Sequence, residues 1–115
     1  MRFAGYMNIE LIQPKDDEPS VYRELIERRG YGFHHIGIAS DDVDRDVRVY
    51  EARGYTLAFR GSVPTGGHVA YLDGGPALPH FNELIPANAG FDKAFTGWWR
   101  QSQDWDGRDP VRPFA

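Results

Sequence analysis

The chain is predicted to fold as an α+β domain built around one β-α-β-β-β unit, and three observations carry that expectation. Phe33 to Ala39 alternates like a strand and runs directly into an amphipathic helical segment. Three further strand-like segments follow it, separated by turns rich in Gly and Pro. Each flank of this unit reads as a helix, from Ser20 to Arg29 before it and from Asn88 to Asp104 after it.

Taken in order, Tyr6 to Ile12 reads as a short strand ended by Gln13-Pro14, since Pro cannot donate to a sheet ladder. The polar turn Lys15-Asp16-Asp17-Glu18-Pro19 leads to Ser20, a residue suited to capping a helix. Tyr22, Leu25, Ile26 and Arg29 fall at i, i+3, i+4 and i+7, giving one apolar face, and Gly30 supplies the stop. In the next strand Ile36 and Ile38 share one face, with Phe33, His35, Gly37 and Ala39 on the other. The small residues leave room beside His35. Ser40-Asp41-Asp42 then caps a helix on which Val43, Val47 and Tyr50 repeat until Gly54.

Tyr55 to Phe59, His68 to Asp73 and Phe81 to Ile85 complete the unit. They are joined by the turns Pro64-Thr65-Gly66-Gly67 and Gly74-Gly75-Pro76, and Pro86 closes the last strand. Phe91, Ala94, Phe95, Trp98 and Trp99 give the terminal helix its stripe, and a polar tail with Pro110 and Pro113 follows.

Composition excludes several classes of function. At 115 residues the chain fits one domain, and its 41% hydrophobic and 26% charged content argues against disorder. A net charge of −4 provides no broad basic field for nucleic acid. No apolar run is long enough for a membrane span and no signal-peptide pattern opens the chain, which points to the cytoplasm. The absence of cysteine removes disulfides and thiolate chemistry, so a bound metal must use His, Asp or Glu. The aromatic content of 14% is high for a small acidic domain and suggests rings lining a pocket or an interface as well as a core.

An internal echo is the most informative feature. Ile9-Glu10-Leu11-Ile12 is matched by Asn82-Glu83-Leu84-Ile85; both segments precede a Pro and a candidate helix. Alternation turns Glu10 and Glu83 away from Leu11 and Leu84. A carboxylate central in a strand needs a partner, either a metal ion or one of the chain's many arginines. The chain thus carries the last strand of one unit and the whole of a second.

These segments, with Ser20-Val21-Tyr22-Arg23-Glu24-Leu25, Gly32-Phe33-His34-His35-Ile36-Gly37-Ile38, Val69-Ala70-Tyr71-Leu72-Asp73 and the closing Trp105-Asp106-Gly107-Arg108-Asp109-Pro110-Val111-Arg112, resemble the vicinal oxygen chelate superfamily. That superfamily includes glyoxalase, bleomycin-resistance proteins and extradiol dioxygenases; the resemblance is to its glyoxalase-like branch near methylmalonyl-CoA epimerase. It implies a half-barrel with residues 1–30 as a remnant of a first module, 31–87 as a complete module and 88–115 as terminal helix and tail, all in one structural domain. It implies metal ligation by Glu10, His35 and Glu83, with His35 favoured over His34 because alternation sends His34 toward the covering helix. The strand that brings a fourth ligand in the family is absent here. The site therefore keeps three protein ligands and water, is completed by another chain, or has lost its metal.

The implied chemistry is that of a lyase, isomerase or dioxygenase on a small molecule with vicinal oxygens, using Zn, Ni, Co, Mn or Fe. Glu10 and Glu83 are the candidate proton carriers. His68 and His80 have no ligand-like spacing. The competing reading is a protein that sequesters a small ligand in an aromatic cleft drawn from Phe59, Tyr71, Trp98, Trp99 or Trp105, and a third is a truncated, inactive homologue. The expected assembly is a homodimer that covers the open sheet face, in which the strand around Glu10 could cross to the partner; the competing outcome is a monomer whose own first strand and terminal helix, with Trp98 and Trp99, fold back over that face.

Overall fold

The computed structural model describes residues 1–113. Its order is β1 (Arg2–Ala4), β2 (Met7–Ile9), α1 (Val21–Arg29), β3 (His35–Ser40), α2 (Val43–Ala52), β4 (Thr56–Ser62), β5 (His68–Asp73), β6 (Phe81–Pro86) and α3 (Ala89–Gln103). From β3 to β6 this is the expected β-α-β-β-β unit. Its strands form one mixed sheet in the order β3-β6-β5-β4, in which β3 runs parallel to β6 and the other pairs are antiparallel.

The helices begin and end where local chemistry dictates. The Ser20 hydroxyl accepts from the backbone N–H of Arg23 at 3.1 Å, and Gly30, at φ 78°, donates its N–H to the Ile26 carbonyl at 2.7 Å. The Asp42 carboxylate caps α2 through the N–H of Arg45 at 2.9 Å. Asn88 caps α3 through the N–H of Phe91 and also donates to the Gly66 carbonyl, each bond under 3 Å. The first turn of α3 is thereby fixed to the β4–β5 turn.

Two cores lie on opposite faces of the sheet. Val43 and Val47 of α2 pack on Ala70, Leu72 and Leu84, with Ile38, Tyr50, Tyr55 and Leu57 around them. On the other face Val21 and Leu25 of α1 pack on Tyr71 and Phe81. The face expected to stand open, carrying Phe81, is therefore partly roofed by the chain's own first helix. Phe81 is completely buried, whereas Phe33 at the edge is left exposed.

Three boundaries differ from the sequence expectation. Tyr6 to Ile12 is not one strand: β1 and β2 form a hairpin around Gly5, whose φ of 63° is the left-handed conformation a tight turn needs. The hairpin lies beside α3, with Tyr6 stacked on Trp99 at 5.6 Å. β3 begins at His35 and not at Phe33, and β4 extends past Phe59 to Ser62. A bulge in β4 falls between Leu57, opposite Leu72, and Phe59, opposite Tyr71. The extra residue, Ala58, lets Leu57 face the α2 core while Phe59 joins Tyr71 on the other face.

Candidate metal and substrate site

The sheet register sets the site. Gly37, Glu83, Tyr71 and Phe59 stand opposite one another across β3, β6, β5 and β4, so they form a row on the face away from α2. His35 stands two residues before Gly37 on the same face of β3. Gly37 keeps the row open: a Cβ there would come within 2.9 Å of the Ile85 side chain and 3.8 Å of the Glu83 carboxylate.

His35 Nε2 lies 3.1 Å from Glu83 Oε2 and 3.4 Å from Glu10 Oε2. Glu10 arrives from the segment just after the hairpin, where the chain has left strand geometry and Leu11 points into solvent. Within the single chain Glu10 reaches its own His35. The two carboxylates are unlike: side-chain exposure is 43% for Glu10 and 13% for Glu83.

The charges on this cluster are coupled. Burial alone would lower the His35 pKa, but bonding to Glu10 and Glu83 outweighs it and raises the value to about 9. The same bond from His35 holds the Glu10 carboxyl below its ordinary value. Near neutral pH the site therefore contains an imidazolium facing two carboxylates. Burial pushes the Tyr71 phenol upward, with the Tyr22 hydroxyl 3.2 Å away contributing, so Tyr71 stays protonated.

His34 does not point toward α2 as alternation predicts, because β3 starts only at His35 and the period-2 rule does not reach one residue earlier. Its Nδ1 is 3.0 Å from His35 Nδ1, its Nε2 is 3.4 Å from the Val21 carbonyl, and its ring stacks on Tyr22 at 4.8 Å. Burial lowers its pKa. Spacing placed Tyr22 on the apolar face of α1 but gave neither it nor His34 a part in the site; the adjacent His34-His35 pair was the available signal.

Among the described residues no group of three or more His, Asp or Glu side chains is disposed as a ready metal cage. The donors nonetheless suit a divalent ion in kind: one imidazole nitrogen and two carboxylates converge, and the Nε2 proton stands where a cation would balance the same charge.

The aromatic candidates divide between two places. Phe59 and Tyr71 lie 5.9 Å apart on the site face, and Phe59 also borders a cleft of about 490 Å³ with Ser20, Val21, Arg23 and Ala58. That cleft is not lined by Glu10, His35 or Glu83. Trp98 and Trp99 belong to α3, with Trp98 beside Phe95, and Trp105 lies beyond the helix, where its indole N–H bonds the Arg108 carbonyl. His68 pairs with Asp44 at 3.1 Å and His80 lies against Phe33, both apart from the triad.

The βαβββ sheet, with His35, Glu10 and Glu83 gathered on the face that α1 partly roofs, has the architecture of a glyoxalase-like half-barrel module. The family model of the Glyoxalase/Bleomycin resistance protein/Dioxygenase superfamily matches residues 1–71, and the chain belongs to that superfamily. The match takes in Glu10, His35, Phe59 and Tyr71; Glu83 lies beyond it. No curated protein matches the chain. No helix among the described residues is long and apolar enough to cross a membrane.

Proposed function

We propose that the chain holds a divalent cation through Glu10, His35 and Glu83 and acts on a small molecule with two adjacent oxygens, in lyase, isomerase or dioxygenase chemistry. The observation that supports this most is the approach of both carboxylates to His35 Nε2, at 3.1 and 3.4 Å. A bound divalent cation supplies positive charge that stabilises the negative oxygen developing when a C–H beside a carbonyl loses its proton. Glu83, nearly buried between Gly37 and Tyr71 in the row, serves as the fixed ligand. Glu10 is ionised and half-exposed, so it has room to turn from His35 and take a substrate proton. Tyr71, held neutral and buried at 3% exposure between His35, Phe59 and Phe81, supports the cluster from within the core and presents no ring face to a substrate, which corrects the expectation for it.

The test is elemental analysis of protein purified without chelators or a histidine tag, beside its Glu83→Ala variant. A stoichiometric transition metal that the variant loses supports the reading; a metal content equal in both overturns it.

A second reading, ligand sequestration, is favoured by the exposed ring of Phe59 at the mouth of the 490 Å³ cleft. It predicts capture of a small aromatic compound that a chelator leaves unchanged and Phe59→Ala weakens. Either reading goes with pairing of two copies, supported by exposed Phe33 and Ile36 beside the free edge of β3. Light scattering should then give twice the 13.1 kDa chain mass.

A further inference from the structure

We propose that the cleft between α1 and β4 selects an organic cation with an aromatic body, seated on the ring of Phe59 and balanced by the carboxylate of Glu27. This rests on the sequestration reading and adds to it the charge and shape of the ligand.

The backbone of β4 sets the ring. The bulge at Ala58 turns Phe59 onto the face that α1 covers, and Gly61 leaves the ring room to lie along the strand, since a Cβ there would come within 2.7 Å of it. Tyr71 flanks the ring at 5.9 Å, yet 42% of Phe59 stays exposed. The cleft beside it, of about 490 Å³, has the size of a pocket for a small organic molecule. An aromatic face open to such a cleft attracts a cation through its quadrupole, and a carboxylate on the same cleft adds Coulomb attraction.

The charges on the walls select the sign. Asp17, Glu24 and Glu27 line the cleft, with Arg23 as the one cation among its lining residues. Arg23 is already engaged, 3.1 Å from the Asp17 carboxylate and 2.6 Å from the Asp16 carbonyl, and its unpartnered Nε is covered from solvent. Glu24 lies 3.8 Å from Arg28, and Arg60, the cation of β4, pairs with Asp44 at 2.8 Å. Glu27 is left exposed, with no ion pair or hydrogen bond among the described residues. The start of α1 is no seat for an anion either, because the Ser20 hydroxyl already accepts the N–H of Arg23. An anion entering the cleft would meet an unbalanced carboxylate and no free guanidinium, whereas a cation meets its counter-charge. Glu10, His35 and Glu83 stand outside the cleft, so capture here needs no metal.

The experiment is an amide chemical-shift titration of the whole chain with three probes that share one fused ring: the cation 1-methylquinolinium, the neutral 1-naphthalenemethanol and the anion 1-naphthoate. The amides of Phe59 and Glu27 should shift with the cation, which should bind about tenfold more tightly than the neutral probe, with the anion weakest. Glu27→Gln, at an exposed position, should shrink that preference to about threefold, and Phe59→Ala should weaken all three probes. Zinc and chelator should leave the affinities unchanged. A neutral probe that binds at the same amides as tightly as the cation overturns the charge assignment and leaves the sequestration reading standing. A preference that survives Glu27→Gln in full overturns the part given to Glu27. No shift from any of the three probes overturns both the proposal and the reading beneath it.

Discussion

Glu83 stands opposite Gly37 in the register between β6 and β3, yet its carboxylate contacts His35, two residues earlier on the same face. Gly37 adds no side chain beside that diagonal; a Cβ there would crowd Ile85 at 2.9 Å and touch the Glu83 carboxylate at 3.8 Å. The third member of the cluster, Glu10, enters from outside the sheet and completes an arrangement in which one imidazole neutralises part of two carboxylate charges.

That arrangement makes stability depend on alkaline pH. The folded-state pKa of His35 is about 9 against an ordinary 6.5, so its ion pairs stabilise the fold fully below about pH 6.5 and are lost as pH rises through 9. Urea denaturation midpoints measured from pH 6 to pH 10 should decline across this window. The double variant Glu10→Gln/Glu83→Gln should show a flatter profile, and an equally steep decline would remove His35 as its cause.

The hydroxyls of Tyr22 and Tyr71 join α1 to the sheet at 3.2 Å. Tyr22→Phe and Tyr71→Phe should each cost about 0.5–1.5 kcal/mol, with the double variant costing less than their sum, because it leaves no hydroxyl without its partner. A double-mutant cycle by chemical denaturation measures the difference; strict additivity would show the bond to be energetically idle.

Gly90 is the tightest of the glycines, where a Cβ would overlap the backbone carbonyl oxygen of Thr65. Backbone cannot swing aside as a side chain can. Gly90→Ala should therefore destabilise by about 1–3 kcal/mol despite the better helix propensity of alanine. Gly97, which has open space at the same test, should tolerate alanine without loss. Thermal melts of the two variants should separate clearly.

Leu84 shows how the two faces of one strand divide their work. It is fully buried under Val43 and Val47, one residue from Glu83 on the opposite face. Leu84→Ala should cost about 2–5 kcal/mol in urea denaturation. Glu83→Gln, by contrast, removes a charge without opening a cavity, and its main effect should be on the site.

The β-α-β-β-β order was legible because its signals are local: Ser20 and Asp42 as caps, Gly30 as a stop, and the alternation of His68 to Asp73, whose bounds match β5. The approach of Glu10, His35 and Glu83 followed from an echo between two segments and from the family resemblance. What was not legible depends on tertiary structure. An apolar stripe on Ser20 to Arg29 shows that α1 packs on something, but not that it packs on the Tyr71 and Phe81 face. The hairpin escaped because the run from Tyr6 onward reads as one strand unless Gly5 is recognised as its turn. Alternation misplaced His34 since the rule holds only inside a strand, and the bulge at Ala58 reset it again for Phe59.

The most direct measurement is calorimetric titration of the metal-free protein with Mn²⁺, Co²⁺, Ni²⁺ and Zn²⁺, beside His35→Ala and Glu83→Gln. The account predicts one site per chain for at least one of these ions, with proton release as the cation displaces hydrogen from His35, and an affinity lowered at least tenfold in both variants. Equal isotherms for the wild type and His35→Ala, or no heat from any of the four ions, would contradict it and leave the three residues as a buried ion-pair cluster.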